Sequence, residues 1–596
     1  MASKVEFKDR KIWIDGKPVQ LISGVVHYFR IPRALWRDRL ERARSMGCNC
    51  IESYIFWNLT EPEKGVFNFE DNNDFEAFFK LVHEMGMYAI VRPGPYTCSE
   101  CDNGGFPYWL MNIPGLKVRR TNAPYLAEVR DYWSVLIPKI AALQYDNGGP
   151  VLTVQIENEY GSYSHDTGHI KILIDMAREF GLTVPLFTAD GAVHVTSGMT
   201  DVVPIALNFG FEAAKKFELG KKLHPEDPPF SAEFWGSWFD HWGDPGHVVR
   251  DPEEYASELD DILRIGGSAN IYMACGGTQF GFRGGANQKP GEAYLPDAAS
   301  YDFDAPVAEY GDIMPKYAAL KKVIKKYRPE TPDETPENPP KAAYGKIDFT
   351  GTAKLFDNLE NISRSEYDVS PKTFEELGQA FGFVLYRTKV QGPCVEPVSV
   401  DPVRDRANVF LNGRPVGVLY RNDKSCTIPK LEFPEGESTL DILVENLGRI
   451  NFGIDVCKDY KGITGCLRFN QQIRLGFEHF RLPMTDLSQL KFGPADVLAD
   501  TPAFHRAELE ITGTPKDTFL RFPGVHGCIF INGFNLGRYW NIGPQQALYL
   551  PGCLLKEGKN EIIVFETDKL KFPYIESVDK PDFGKIIKFA DIINNI

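Results

Sequence analysis

The sequence predicts an α/β protein in which a (β/α)8 TIM barrel is followed by two all-β, jelly-roll-like domains. Eight short apolar runs alternate with amphipathic helical patterns between residue 20 and about residue 327. This is the number of units and the length expected of such a barrel, and continuous apolar runs are typical of parallel strands covered by helices. A proline-rich acidic segment then ends the alternation, and short strands with glycine-rich turns follow it.

The strands and helices of the barrel can be assigned in order. A helix is predicted after the first run, with an apolar stripe at Leu35, Leu40 and Ala43 and a stop at Gly47, and another with a stop at Gly86. A doubly wound open sheet is the alternative, but no glycine-rich phosphate fingerprint follows the first run. The eight runs are QLISGVVHYF, CNCIESYIFW, MYAIVRPGPY, PVLTVQIENEY, TVPLFTAD, VVPIALNFG, PFSAEFWGSW and ANIYMACGGTQF.

The segment KKYRPETPDETPENPPK (325–341) predicts an extended linker, because prolines and acids disfavour packed elements. Beyond it, NVFLNGRPVGVLY and CIFINGFNLGRYW are similar stretches at an offset of 120 residues, which indicates two related all-β modules with Asn-Gly turns. We expect a barrel domain over 1–328, a linker and connecting segment over 329–385, and all-β domains over 386–497 and 498–596.

Composition restricts the partners. A net charge of −15 argues against nucleic acid and against an anionic membrane, and no apolar run is long enough to span a bilayer. As the chain stands, with no signal peptide visible, a cytoplasmic location is expected; it would be periplasmic or secreted if a signal had been removed. Eleven cysteines without a framework predict mostly free thiols in a reducing compartment. Cys98 and Cys101 have metal-site spacing but no second pair, so we expect no metal and no cofactor.

Polar residues at the strand ends form the candidate site, because the active residues of such barrels lie at the C-terminal ends of strands. The C-terminal ends of the strands together present acids and aromatic rings, without a His/Asp metal cluster or a Ser-His pair. Such a cleft suits the cleavage of a glycosidic bond, which needs two carboxyl groups. The residues, from the second, third, fourth, seventh and eighth runs, are Tyr54, Asn58, Glu61, Arg92, Glu100, Glu157, Asn158, Glu159, Glu233 and Tyr272.

Six ordered motifs carry a resemblance to a known family. The chain resembles the shorter members of glycoside hydrolase family 35, the β-galactosidase family, over most of the barrel, and the proline-rich break before two β-domains is similar too. The motifs are GVVHYFRIP, SYIFWNLTEPEKGVFNF, VRPGPYTCSECDNGGFPYWL, NGGPVLTVQIENEYGSY, SAEFWGSWFDHWG, and IYMACGGTQFGF with SYDFDAP.

The resemblance implies a retaining exo-β-galactosidase that releases terminal galactose from an oligosaccharide or glycan. Glu159 would be the general acid/base and Glu233 the nucleophile, and retention requires their carboxyl groups to lie about 5–5.5 Å apart. Asn158 would bind the sugar 2-hydroxyl, and Glu157 would be a supporting residue paired inside the barrel. The remaining substrate-binding residues would be Tyr54, Cys98, Ser99 and Glu100 in the galactose pocket, Trp235 and Trp238 as aromatic walls, and Tyr272 as a hydrogen-bonding residue near Glu233.

Three positions depart from the family pattern. Thr60 stands where the family commonly has a histidine, in NLTEP; Gln279 replaces an asparagine after the eighth strand; and Phe303 replaces a tyrosine in SYDFDAP. We expect the last two to affect which sugar or leaving group is accepted.

Other readings stay open at this point. The nearest is an exo-β-glycosidase for another sugar, such as glucosamine, because the family resemblance extends to those enzymes. A barrel that has lost catalysis and binds glycans is a second, against which both acids argue, and a structural or adhesion protein has no support beyond the β-domains. The sequence leaves linkage and oligomeric state undetermined; a homodimer is the assembly we consider.

Overall fold

The computed structural model describes residues 4–588, and within them the predicted barrel is confirmed. Eight parallel strands of this part of the chain close on themselves, so that the eighth pairs with both the first and the seventh. Each coincides with one of the eight apolar runs. In chain order the strands are Ile22–Val25, Cys50–Tyr54, Tyr88–Arg92, Val151–Gln155, Leu186–Gly191, Ile205–Phe209, Phe230–Trp235 and Ser268–Tyr272.

The helices cover the outside of the barrel, and the patterns that predicted them are also confirmed. The helix of the first pattern buries Leu40 and Ala43 and ends at Gly47, whose φ of 113° favours glycine. Leu35 precedes that helix as its N-cap residue. The α-helices are Trp36–Met46, Trp57–Thr60, Phe75–Glu84, Ala123–Ala142, Thr167–Glu179, Val195–Gly198, Ala213–Leu223, Pro252–Arg264, Pro315–Tyr327 and, beyond the barrel, Leu355–Ile362.

A small antiparallel sheet closes the N-terminal end of the barrel. Its strands are Val5–Lys8, Lys11–Ile14 and Lys17–Val19. Val5 and Ile14 pack in one apolar cluster with residues at the starts of the barrel strands, such as Leu152. The opposite, C-terminal end carries the predicted site.

The all-β region forms two sheets. The earlier sheet consists of Ser365–Asp368, Phe383–Arg404, Arg406–Leu411, Arg414–Tyr420, Thr427–Glu445, Gly462–Phe469, Gln472–Arg474 and Phe477–Leu482. The later sheet consists of Gly345–Lys354, Gly493–Pro494, Ala503–Ile511, Thr518–Arg521, His526–Ile531, Phe534–Trp540, Ala547–Leu550, Gly558–Glu566 and Tyr574–Val578. Residues 589–596, at the end of the second expected all-β domain, lie outside the described residues.

The repeat found in the sequence corresponds to two equivalent hairpins, one in each sheet. Arg406–Leu411 pairs with Arg414–Tyr420, and His526–Ile531 pairs with Phe534–Trp540. Both turns are Asn-Gly with positive φ at both residues, 51° and 76° in the first and 49° and 83° in the second. This is the geometry of the two-residue turn that the dipeptide favours.

The segment expected as a linker and connection, 329–385, contributes a strand to the later sheet. Gly345–Lys354 pairs with Ala503–Ile511 on one side and with Tyr574–Val578 on the other. Its apolar residues Ile347 and Phe349 alternate with exposed ones and are buried in the core of that sheet. The alternation is that of a half-buried strand, which the neighbouring prolines obscure in the sequence.

No helix between residues 4 and 588 has the length and apolar character needed to cross a membrane.

Candidate active site

Glu233 lies at the end of the seventh barrel strand and is held by three donors. Tyr54 Oη and Arg92 Nη2 donate to its Oε1 at 2.9 and 2.6 Å, and Trp235 Nε1 donates to its Oε2 at 3.0 Å. Glu233 as a whole is 6% exposed. Both of its oxygens are therefore oriented by hydrogen bonds, and its Arg92 partner is charge-assisted. Four strands, the second, third, fourth and seventh, meet at this point, because Arg92 also contacts Asn158.

Glu159 follows the fourth strand, and its backbone is left-handed, with φ of 46°. Asn208, at the end of the sixth strand, donates from Nδ2 to Glu159 Oε1 at 3.0 Å, and the same Asn208 is the register partner of Glu233. One asparagine thus lies beside both acids. Burial, together with the negative charge of Glu233, raises the pKa of Glu159 to about 7. A carboxyl with that pKa can hold a proton near neutral pH and release it.

Asn158 is part of a buried polar network beneath Glu233. Its Oδ1 accepts from Arg92 and, at 3.2 Å, from Gln155 Nε2, which orients the side-chain amide. Arg92 also contacts Glu52 Oε2 at 3.3 Å, and Asn270 of the eighth strand donates to the same carboxyl. Burial raises the pKa of Glu52 to about 7, although Arg92 opposes the shift. The network fixes Asn158 and Arg92 relative to each other.

Glu157 has a different role from Glu159, although only Asn158 separates them. Its two oxygens accept from Arg119 Nε and Nη2 at 3.1 and 2.9 Å, and both side chains are fully buried. Burial alone would raise the pKa of Glu157, but Arg119 and His169 together outweigh the effect of burial and lower the pKa. The expected pairing of Glu157 inside the barrel is thus present.

Replacing Glu157 by glutamine should destabilise the barrel, because Arg119 would keep its charge in a buried site without a carboxylate. Breaking one side of a buried ion pair costs about 3–5 kcal/mol, so the thermal midpoint should fall by roughly 10 °C. The measurement is calorimetry at pH 7. The control is Glu179→Gln, whose partner Arg130 is also a barrel arginine but lies in a pair that is about half exposed and should be nearly neutral. Equal midpoints for the two variants would contradict the prediction.

The segment Cys98–Ser99–Glu100 forms one wall of the site in an unfavourable backbone conformation. Its three residues have φ of 62°, 57° and 51°, in the left-handed region that costs non-glycine residues roughly 1–2 kcal/mol each. Tyr301 Oη donates to Glu100 Oε2 at 2.8 Å. Burial raises the pKa of Glu100 to about 7, against the effect of that hydrogen bond. Strain of this kind persists only where surrounding contacts hold it.

Tyr272, at the end of the eighth strand, joins this wall. Its hydroxyl lies 3.2 Å from Ser99 Oγ and 2.9 Å from Tyr301 Oη. The hydroxyl that donates directly to Glu233 is that of Tyr54.

The two tryptophans after Glu233 lie edge to face, with ring centroids 6.1 Å apart. Trp235 also holds Glu233, whereas Trp238 is 37% exposed and stacks on Phe239. Trp238 therefore offers an accessible aromatic surface next to the acids.

The three departures from the family pattern are all buried. Thr60 donates to the carbonyl of Phe56, the N-cap residue of its own helix, and Phe303 packs against His247 and Phe583. Gln279 accepts from Arg30 at 3.2 Å and donates to the Glu100 carbonyl at 2.6 Å. Of the three, Gln279 is thus the one that directly supports the wall at Glu100.

Sequence reasoning missed several residues of the site. Asn208 ends the sixth apolar run, so the rule applied to the other strands would have found it. Arg92 was noted at a strand end but given no role. Arg30 and Tyr301 lie within the motifs GVVHYFRIP and SYDFDAP but away from the strand ends, and the sequence assigns them no role. Asn451, whose Oδ1 lies 3.5 Å from Cys98 Sγ, belongs to the all-β region, where no local signal marks it.

Two carboxylates at the ends of the fourth and seventh strands, within a ring of hydroxyl, amide and aromatic side chains, make this barrel that of a glycoside hydrolase. The model described as "Glycosyl hydrolases family 35" matches residues 11–327, more than half of the chain. Two further models match the all-β region: "Beta-galactosidase, first all-beta domain" over residues 371–483 and "Beta-galactosidase, galactose-binding domain" over residues 502–560. The chain belongs to glycosyl hydrolase family 35.

The similarity to known proteins extends over nearly the whole chain. A protein named Beta-galactosidase from Xanthomonas manihotis is 40% identical over 541 residues, which cover 90% of this chain and 89% of that protein. Beta-galactosidase 17 from Arabidopsis thaliana is 39% identical over 633 residues, covering 98% and 90%. A Beta-galactosidase from Felis catus is 37% identical over 620 residues, covering 97% and 91%.

Proposed function

We propose that the chain is a retaining exo-β-galactosidase that removes terminal non-reducing β-D-galactose from oligosaccharides or glycans. The observation that carries the proposal is the arrangement around Asn208, which contacts Glu159 and lies in register with Glu233. The relatives named above are β-galactosidases, which supports galactose as the sugar.

In the first step an Oε of Glu233 attacks the anomeric carbon as the bond to the leaving oxygen breaks. Glu159 donates its proton to that oxygen, and a covalent galactosyl-enzyme forms. The pKa of Glu159 near 7 supports this role, because the carboxyl must be protonated before it can donate.

In the second step Glu159, now a carboxylate, removes a proton from water. The water oxygen attacks the anomeric carbon, the bond to Glu233 breaks, and galactose leaves with its β configuration retained. Arg92, Tyr54 and Trp235 hold Glu233 in place in both steps.

Sugar selection is assigned to the wall formed by Cys98, Ser99 and Glu100, with Tyr272, and to Asn158 at the 2-hydroxyl. Buried polar groups that bond substrate hydroxyls reject an epimer strongly, since the wrong sugar leaves them unpaired. Trp238, with its exposed ring, supports a short site for the leaving group.

A panel of p-nitrophenyl β-glycosides tests the sugar. We expect the β-galactoside to be cleaved at least tenfold faster, by kcat/KM, than the β-glucoside or the β-glucosaminide. A preference for either of the others would reject galactose as the substrate. NMR during hydrolysis should show β-galactose first, and α-galactose first would reject retention. A panel of galactosyl disaccharides that differ only in linkage would define the leaving group.

Compartment and assembly are part of the proposal. All eleven cysteines lie in the described part of the chain and are unpaired there, seven of them buried, which supports a reducing compartment. The homodimer stays a prediction, and light scattering on the purified chain tests it.

A further inference from the structure

A segment of the earlier all-β domain packs against the barrel next to Cys98, Ser99 and Glu100, which are called the sugar wall below. Residues 448–451 run alongside barrel residues 284–286: Ala286 N donates to the Arg449 carbonyl at 3.1 Å, and Asn451 N donates to the Ala286 carbonyl at 2.9 Å. Gly285 N in turn donates to the Glu100 carbonyl at 3.0 Å. A continuous backbone path therefore joins the all-β domain to Glu100.

Arg449 is fully buried and connects two acids from different parts of the chain. Its Nη1 donates to Asp102 Oδ2 at 2.8 Å, and its backbone N donates to Asp102 Oδ1 at 2.6 Å. Its Nε donates to Glu375 Oε1 at 2.8 Å. Asp102 is two residues after Glu100, so the arginine fixes the C-terminal side of the strained wall to the all-β domain. An arginine that contacts two carboxylates, the buried Glu375 and the partly buried Asp102, holds this geometry more rigidly than a single contact would.

Asn451 contacts the other side of the wall. Its Oδ1 lies 3.5 Å from Cys98 Sγ, which is the donor, and its carbonyl accepts from Tyr96 Oη at 2.7 Å. Its Nδ2 donates to the Ala286 carbonyl at 2.9 Å and to Asp297 Oδ2 at 3.2 Å. The two residues together therefore hold the wall at Tyr96, Cys98 and Asp102.

The approach is so close that glycines are required on both sides. A Cβ on Gly104 would lie 2.6 Å from the Asn451 carbonyl oxygen, and one on Gly448 would lie 2.5 Å from the carbonyl oxygens of Gly284 and Gly285. These contacts are with backbone, which cannot give way as a side chain can. The position of the segment relative to the wall is thus sterically fixed.

We propose that Arg449 and Asn451 are positioning residues for the sugar wall, and that the earlier all-β domain thereby determines how well the enzyme selects its sugar. The proposal rests on the function proposed above, and it deepens it. Cys98, Ser99 and Glu100 adopt left-handed backbone conformations that they do not favour alone, so their geometry depends on the contacts at either end. Loosening those contacts releases the wall while leaving Glu159 and Glu233 in place.

The test uses Asn451→Ala and Arg449→Gln in the full chain. We expect each to weaken competitive inhibition by free galactose at least tenfold. We also expect the ratio of kcat/KM for the p-nitrophenyl β-galactoside to that for the β-glucoside to fall at least tenfold. Most of the change should be in KM, because the acids keep their positions. Arg449→Lys should recover part of the loss by restoring the charge.

Arg406→Gln is the matched control. Arg406 is also a buried arginine between two parts of the chain, and it donates to both oxygens of Asp568 at 3.0 and 2.9 Å, but it joins the two all-β sheets. Its variant should lower the thermal midpoint while leaving galactose inhibition and the substrate ratio within twofold of wild type.

Two outcomes would overturn the proposal. One is an Asn451→Ala enzyme that keeps the wild-type galactose inhibition and the wild-type ratio of kcat/KM values. Because this variant removes side-chain contacts only, it remains informative if Arg449→Gln does not fold. The other is an Arg406→Gln enzyme that loses sugar selection to the same extent. If the wild-type enzyme preferred another glycoside, the proposed function would fail instead, and the same variants would be measured with that glycoside and its free sugar.

Discussion

Replacing Glu233 by glutamine is expected to lower kcat for the p-nitrophenyl β-galactoside by roughly 10⁴-fold or more, which corresponds to at least about 5.5 kcal/mol of transition-state stabilisation. An amide cannot form the covalent intermediate. In either orientation its NH2 group would also face a donor, because Tyr54 and Arg92 donate to one carboxylate oxygen and Trp235 donates to the other. Both steps of the reaction need this carboxylate. The loss should therefore be independent of the leaving group.

Chemical rescue distinguishes a nucleophile from a residue that is needed only for folding. With Glu233→Ala, azide should enter the vacated space and attack the opposite face of the sugar, giving α-galactosyl azide, while Glu159 still protonates the leaving oxygen. The same anion added to wild-type enzyme is the control. A variant that keeps more than a few per cent of its activity, or whose azide product is the β anomer, would show that another group is the nucleophile.

Replacing Glu159 by glutamine is expected to have an effect that depends on the leaving group. Cleavage of a disaccharide should fall by about 10³–10⁴-fold, the upper range for loss of a general acid, because a sugar oxygen must be protonated as it leaves. A dinitrophenyl galactoside leaves without a proton, so its first step should be nearly unaffected and the galactosyl-enzyme should accumulate. Mass spectrometry of the quenched reaction would detect the added hexose.

The pH profile gives a second measurement of the same residue. Glu159 must be protonated in the first step, so kcat/KM should fall as pH rises through about 7, and that basic limb should be absent in Glu159→Gln. Glu52 and Glu100, whose pKa values burial also raises to about 7, provide the competing explanation. A basic limb that survives in the variant would favour one of them over Glu159.

Much of the barrel could be predicted because its signals are local. Each strand is an apolar run, and each run could be searched for a polar residue at its end, which gave Glu159 and Glu233. The two glutamates of the fourth strand looked alike in the sequence. Their difference depends on Arg119, which approaches Glu157 from 38 positions earlier in the chain, and no spacing rule marks that pairing.

The residues that support the site could not be predicted, for the same reason. Tyr301 and Asn451 lie about 200 and 350 residues from the wall that they contact. Such contacts are created by packing between elements that the sequence describes only one at a time. The strand Gly345–Lys354 was obscured in a similar way, because its partners lie in another part of the chain and prolines precede it.

During synthesis, the strand Gly345–Lys354 is made long before the strands with which it pairs. Gly345–Lys354 leaves the ribosome well before its partners, because the short strand Gly493–Pro494 begins 139 residues after it and Ala503–Ile511 begins 149 residues after it. At the usual rate of synthesis the strand waits about 7–30 s with its backbone unpaired, while the whole earlier all-β domain emerges and folds. During that interval the unpaired backbone groups of this strand can form hydrogen bonds with a strand of another copy of the chain. We therefore expect the yield of folded enzyme to depend on the supply of chaperones during translation.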